Sequence, residues 1–353
     1  MGAAELSARA AALAPPRAHG EPPAAGQLRV EPEDFEVEED LGFAPAGSGQ
    51  HLLLKVRKRN ANTAWVAREL ARIAGCTAGE AGYAGLKDRR ALAVQWFSVP
   101  RPRIALDWSG VRRDDFEVLE AYPHTRKLPR GALAGNRFAV RVRASSGDGP
   151  GLAARIAPRL EAIARAGVPN YFGPQRFGRD GANLARSAAA LATLQPAERG
   201  FVLSAARSVV FNAVLAERVL DGSWKRLLEG DLANLAGRGS IFAVERPDAG
   251  LVDRCERLEI HPSGPLWGVG VPATRARVLE LETQVAERFP AQCGLCVESG
   301  MRQERRSLRL EVQNLACASE PEAVRLTFRL GRGGFATAVL RELVASAEEV
   351  PEG

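Results

Sequence analysis

The sequence predicts an α+β protein. Strand-like alternation recurs near both ends of the chain, and helix-period apolar spacing fills stretches between them. At 353 residues the chain exceeds one ordinary domain and points to two, with ample material for buried cores.

Residues 1–26 are rich in Ala, Pro and Gly without a persistent period and read as a partly ordered lead-in. From Leu28 onward, in Leu28-Arg29-Val30-Glu31-Pro32-Glu33-Asp34-Phe35-Glu36-Val37, the apolar Phe35 and Val37 alternate with acids, as in a strand with one buried face. Residues 51–58 alternate again, with Leu52, Leu54 and Val56 on one face and Lys55 and Arg57 on the other. Asn62 and Thr63 can cap a helix whose Val66, Leu70 and Ile73 follow helical spacing and which Gly75 closes. In Gly135-Asn136-Arg137-Phe138-Ala139-Val140-Arg141-Val142-Arg143, strand geometry puts Asn136, Phe138, Val140 and Val142 on one face and the arginines on the other. An amide and a ring presented together can hydrogen-bond and stack on a base, or can cap and fill a core.

Residues 152–166 have helical spacing, and Pro158 predicts a kink or a later start. Asn170-Tyr171-Phe172-Gly173-Pro174-Gln175-Arg176-Phe177-Gly178 interleaves aromatics with Gly, Pro and Arg, a composition suited to gripping a ligand or locking a buried turn. A helix capped by Ser204 is predicted to run to about Val219. Residues 222–300 read as short strands and loops, with Gly237-Arg238-Gly239 and Gly264-Pro265-Leu266-Trp267-Gly268 as turns. Residues 308–312 and 324–330 are alternating strands. The Gly-rich turn Gly331-Arg332-Gly333-Gly334-Phe335-Ala336-Thr337 and a helix over 338–345 follow, with Phe335 placed either to face a pocket or to pack the turn.

The formal charge of +6 and pI near 9.3 favour a polyanionic partner such as nucleic acid but also fit an arginine-rich proteome. Arg101, Arg103, Arg112, Arg113, Arg126, Lys127 and Arg130 make residues 100–130 the densest basic segment, fit for tracking phosphates or for lying solvated. No apolar run suggests a membrane span and no signal-peptide pattern opens the chain, so the expected location is cytoplasmic. Cys293 and Cys296 form a lone C-x-x-C without the second pair that a zinc site needs, and no metal is expected.

The stretch with the most chemistry is Gly82-Tyr83-Ala84-Gly85-Leu86-Lys87-Asp88-Arg89-Arg90-Ala91-Leu92-Ala93-Val94-Gln95-Trp96-Phe97. Asp88 sits between cations in a glycine-interrupted loop, and flanking cations favour an ionised acid, able to act as nucleophile or base or, as the tripeptide alone favours, merely to pair with its neighbours in a surface turn. No H-E-x-x-H helix, G-x-S-x-G elbow or dinucleotide fingerprint competes with it. A cofactor-free reaction run by a carboxylate on an anionic substrate is the residue-level inference.

Taken together, residues 82–97, 170–178, 204–212 and 333–344 resemble the TruD family of tRNA pseudouridine synthases, in the same order and over about 28–345. Ala84-Gly85-Leu86-Lys87-Asp88 through Gln95-Trp96 matches the family's catalytic motif, which makes Asp88 the implied nucleophile. The P-E-D-F, G-N-x-F and G-x-F-A-T motifs match at 32–35, 135–138 and 333–337 and imply substrate-binding roles for Phe35, Asn136, Phe335 and Phe138, to which the cations Lys87 and Arg29 are added.

The resemblance further implies a pseudouridine-synthase-type core with a mainly antiparallel mixed sheet, built from 27–166 and 310–353, and an inserted α/β TRUD domain at 167–309. The implied reaction turns uridine 13 of tRNA into pseudouridine in a flipped-base complex, by a monomer with no cofactor. Whether Asp88 meets C1', the uracil ring or a ribose proton first stays open at this point. The alternatives are a non-catalytic RNA-binding or RNA-folding protein and a zinc protein centred on Cys293 and Cys296.

Overall fold

A computed structural model describes residues 11–102, 104, 106–184, 191, 193–236 and 239–346. Residues 1–10 of the expected lead-in, Arg103 of the basic segment, Gly237 and Arg238 of the expected turn, and 185–190, 192 and 347–353 of the expected domains lie outside the described residues. The chain divides into two compact units, one of Ala24–Ala157 with Gln313–Gly334, the other of Met1–Pro23, Pro158–Val312 and Phe335–Gly353.

The first unit is built on a mixed sheet. Its strands are β1 (Ala24–Gln27), β2 (Phe35–Asp40), β3 (His51–Arg59), β4 (Gly82–Tyr83), β5 (Leu92–Pro100), β6 (Phe116–His124) and β7 (Gly135–Ala144), joined by Gln313–Ser319 and Ala323–Gly331. The order across the sheet is Gln313–Ser319, Ala323–Gly331, β7, β2, β5, β3, β6. Along that path only β2 and β5 pair parallel.

Alternation dictates what this sheet buries. Leu52, Leu54 and Val56 of β3 meet Phe97 and Val99 of β5 beneath Val66, Ala67, Leu70 and Ala71 of helix α1 (Thr63–Ala74). That helix starts and stops as its sequence indicates. Asn62 Oδ1 accepts the Ala64 N–H at 2.8 Å, and Gly75 takes the left-handed φ of 71° that ends the last turn. The strand expected from Leu28 begins only at Phe35, because Pro32–Asp34 forms a 3-10 turn. Its Asp34 accepts the Glu31 N–H at 3.0 Å and also holds Arg143.

The second unit packs around helix α3 (Pro196–Leu220), which follows helix α2 (Gly149–Ala166) in the chain. Pro158 lies inside α2 without ending it. The helix α3 begins at Pro196 rather than after Ser204, since proline in the first turn forfeits no intrahelical bond. Ser204 is interior, and its Oγ accepts from Arg176 Nη1 at 2.9 Å. Val209, Val210, Phe211, Val214 and Leu215 form one core with Tyr171, Phe172, Phe177, Trp224 and Phe289. By length and composition Glu198–Leu220 is apolar enough to cross a membrane, although no apolar run in the sequence suggests a span. The most apolar 18 residues of it are 61% buried, the usual fate of a central helix.

Two further expectations for 222–300 are overturned. Helices form at Ala249–Glu256, Ala276–Glu287 and Pro290–Glu298. The period of the middle one was masked by Glu282, a fully buried acid that accepts from Thr274 Oγ1 at 2.9 Å and from Arg305. Gly264–Leu266 is part of the strand Ile260–Leu266, not a turn, and a Cβ on Gly264 would lie 2.7 Å from Leu308 Cδ2.

Arg218 of α3 forms a fully buried pair with Asp231 at 2.9 Å. Asp231→Ala strands the guanidinium in a dry site and is expected to cost about 3–5 kcal/mol in urea denaturation. A loss below about 1 kcal/mol would contradict that placement.

Candidate active site

Strand β5 changes partners along one edge. Leu92, Ala93 and Val94 pair with β2, whereas Phe97 and Ser98 pair with β4. Gln95 and Trp96 fall in the gap, where side chains replace a strand. Trp96 N–H donates to Glu39 Oε2 at 3.0 Å, and Gln95 Nε2 donates to the Gly85 carbonyl at 2.6 Å. The other oxygen of Glu39 accepts from Lys87 Nζ at 2.6 Å, and the two side chains are only 0% and 8% exposed.

The loop between β4 and β5 is thereby tied down on both sides of Asp88. Lys87 N–H donates to Thr63 Oγ1 at 3.1 Å. Lys58 Nζ, fully buried, donates to the carbonyls of Asp88 at 2.8 Å and Ala61 at 2.7 Å. Asn60 N–H donates to the Ala91 carbonyl at 3.2 Å. With the backbone held, the Asp88 carboxylate is left 50% exposed, accepting from Arg29 Nη2 at 2.9 Å.

Arg29 joins the acid to the aromatic residues. Its backbone is left-handed, with φ 55°, and its guanidinium lies 4.3 Å from the Phe35 ring centroid. Phe35 meets Phe138 edge-on at 6.0 Å, and Phe138 stacks on Phe328 at 5.2 Å. Register explains the grouping, because Phe35, Val37 and Glu39 of β2 stand opposite Val140, Phe138 and Asn136 of β7. Asn136 therefore shares a face with Glu39 and Phe138. Its Oδ1 is buried without a hydrogen-bond donor, a costly state that a bound group could relieve.

The structure thus brings Asp88, Arg29, Phe35, Phe138 and Asn136 together on one side of one unit. Lys87 belongs to the same cluster but is turned inward to Glu39, so the cation on Asp88 comes from Arg29 and not from its sequence neighbour. Phe335 belongs to the other unit, at the start of the helix Ala336–Leu343, beside Phe172 at 6.1 Å. In the basic segment, Arg112 pairs with Glu117 and Arg113 with Glu69, while Arg130 lies 3.6 Å over the Tyr83 ring. Internal partners therefore claim part of that segment's charge.

Sequence reasoning missed Glu39 and Lys58. Each stands in the apolar phase of its strand, Glu39 after Phe35 and Val37, Lys58 after Leu52, Leu54 and Val56. A charge in an apolar phase was the available signal. Burial pulls the Lys58 ammonium down to about 8, the Asp88 charge opposing the shift and Lys87 adding to it. Cys293 and Cys296, inside the helix Pro290–Glu298, are pushed up by burial to about 12 and about 11, which favours the protonated thiols.

A sequence profile of the tRNA pseudouridine synthase D (TruD) family matches residues 17–184 and 182–343. A tRNA pseudouridine synthase D of Methylococcus capsulatus is 47% identical over 339 residues, covering 93% of this chain and 94% of its own length. One from Pseudomonas aeruginosa is 45% identical over 351 residues, covering 96% and 95%. A crystal structure of a TruD-named chain from Methanosarcina mazei superposes with a TM-score of 0.71 at 21% identity, covering 95% of this chain and 96% of that one, which fixes the likeness of fold.

The lowered Lys58 gives a prediction of definite sign. Between pH 8 and its unfolded value near 10.5 the native state binds fewer protons than the unfolded one, so this group's contribution to stability rises with pH. Relative to Lys58→Met, the wild type is expected to gain up to about 3 kcal/mol across that window in denaturant titrations. A difference independent of pH would show that the amine is not desolvated.

Proposed function

Because the chain belongs to the tRNA pseudouridine synthase D (TruD) family, we propose that it isomerises uridine 13 of tRNA to pseudouridine, with Asp88 as the nucleophile. The observation that carries this reading is the pinned loop, in which Lys87 and the Asp88 carbonyl are held from within while the Asp88 carboxylate stays half-exposed.

The reaction breaks the bond from ribose C1' to N1, turns the detached uracil and joins C1' to C5. The proton on C5 leaves and N1 gains one, with no redox change and no water consumed. Attack on C1', addition to the ring and removal of a ribose proton all require an ionised carboxylate in a fixed position, and the anchored backbone supplies that position. Arg29 pairs with Asp88 at 2.9 Å in a solvent-open contact and can therefore yield to substrate.

A uridine inside a folded arm must be extruded, at a cost of a few kcal/mol that protein contacts offset. Asn136 Oδ1, lacking a donor, would accept from uracil N3–H. Phe35 and Phe138 would supply apolar and stacking surface, roughly 1–3 kcal/mol for a stacked base, and Phe335, in the other unit, would contact the RNA as well. We assign catalysis to a core of 27–166 with 310–353 and substrate grip to an insertion at 167–309, in a cytoplasmic monomer without metal or cofactor.

Pseudouridine mapping on a tRNA transcript tests the assignment. Wild type is expected to convert uridine 13, and Asp88→Asn to form no product while binding the tRNA within about threefold of wild type. Equal turnover by Asp88→Asn would remove Asp88 from its role. Binding without conversion by the wild type would make the protein an RNA-binding one.

A further inference from the structure

The unit built on α3 holds a cationic cluster that the chemistry at Asp88 does not use. Arg176 stands in the 3-10 turn Pro174–Phe177 and Arg306 in the strand Glu304–Ser307. Their guanidinium groups pack on the same two rings. Arg306 lies 4.3 Å and Arg176 5.4 Å from the Phe172 centroid, and they lie 5.7 and 5.9 Å from that of Phe335. Arg176 Nη1 donates to Ser204 Oγ at 2.9 Å, and Arg306 Nη2 to Asn170 Oδ1.

Arg176 is not paired as Arg218 and Arg305 are. Arg218 meets Asp231 at 2.9 Å, and Arg305 meets Glu282 at 2.8 Å. Arg176 has no such carboxylate among the described residues, and burial alone lowers its pKa. Arg306 is pushed down to about 9, first by burial and then by the positive charge of Arg176, so the two cations repel each other in a poorly solvated place. Thr337 Oγ1 adds a buried hydroxyl with no partner, 3.0 Å from where a Cβ on Gly173 would sit.

A desolvated guanidinium such as that of Arg176, with a second cation beside it and no carboxylate of its own among the described residues, is costly unless an anion completes the site. A neutral base could stack on the rings but would leave the repulsion in place, whereas a phosphate relieves it and matches the guanidinium fork. We propose that Arg176, backed by Arg306, binds one phosphodiester of the RNA substrate beside Phe335. This rests on the reading that tRNA is the substrate.

The test compares full-length wild type, Arg176→Gln and Arg176→Lys. It measures affinity for an in vitro transcribed tRNA from roughly 50 to 200 mM salt, together with the melting temperature of each protein. Arg176→Gln is expected to bind about tenfold more weakly, to lower the slope of log affinity against log salt by about 0.7–0.9, and to melt no lower than wild type, since it removes an uncompensated charge. Arg176→Lys should keep the slope. Wild-type affinity and slope in Arg176→Gln would overturn the proposal, as would failure of that variant to fold, which would make the guanidinium part of the core. If wild type forms pseudouridine but Arg176→Gln leaves the slope unchanged, the phosphate site alone fails. If wild type forms none, the functional reading fails instead.

Discussion

Between Val94 and Phe97, strand β5 has lost β2 and not yet gained β4, and backbone groups left there must find other partners or carry the cost of burial. Glu39 answers that need by accepting the Trp96 N–H, and because a buried carboxylate needs a cation it draws Lys87 inward. Lys87 is the residue before Asp88. A defect in sheet pairing is thus converted into a fixed point on the loop that carries the acid.

The charges around Asp88 fall into two classes by solvation. Lys58, Lys87 and Glu39 are buried, so their contacts resist salt and hold the loop backbone. The Arg29 pair is open to solvent on both sides, at 35% and 50% exposure, and such pairs contribute about 1 kcal/mol or less. The fixed contacts set where the carboxylate stands. The weak one can exchange for substrate without unfolding anything.

Much of this was legible in the sequence. The caps of α1, the alternation of β3 and β7 and the isolated acid at Asp88 follow from local rules that the structure leaves intact. What escaped was the group of residues that break those rules. Glu39, Lys58 and Glu282 occupy apolar phases, where a pattern reading sees either noise or the end of an element, and only long-range partners explain them. Ser204 misled for the opposite reason, since a good capping residue sat inside a helix that Pro196 had already begun. The unit to which Phe335 belongs also could not be read locally, because it depends on contacts with Phe172 and its neighbours, far away in sequence.

The Glu39–Lys87 anchor fixes the loop that carries Asp88, the proposed nucleophile. Single-turnover pseudouridine formation by Glu39→Gln at saturating tRNA tests it most directly. The variant is expected to fold, to bind tRNA within about threefold of wild type and to react about 10- to 100-fold more slowly, the scale expected when a reacting group is displaced by about 1 Å. A folded Glu39→Gln reacting at the wild-type rate would contradict it.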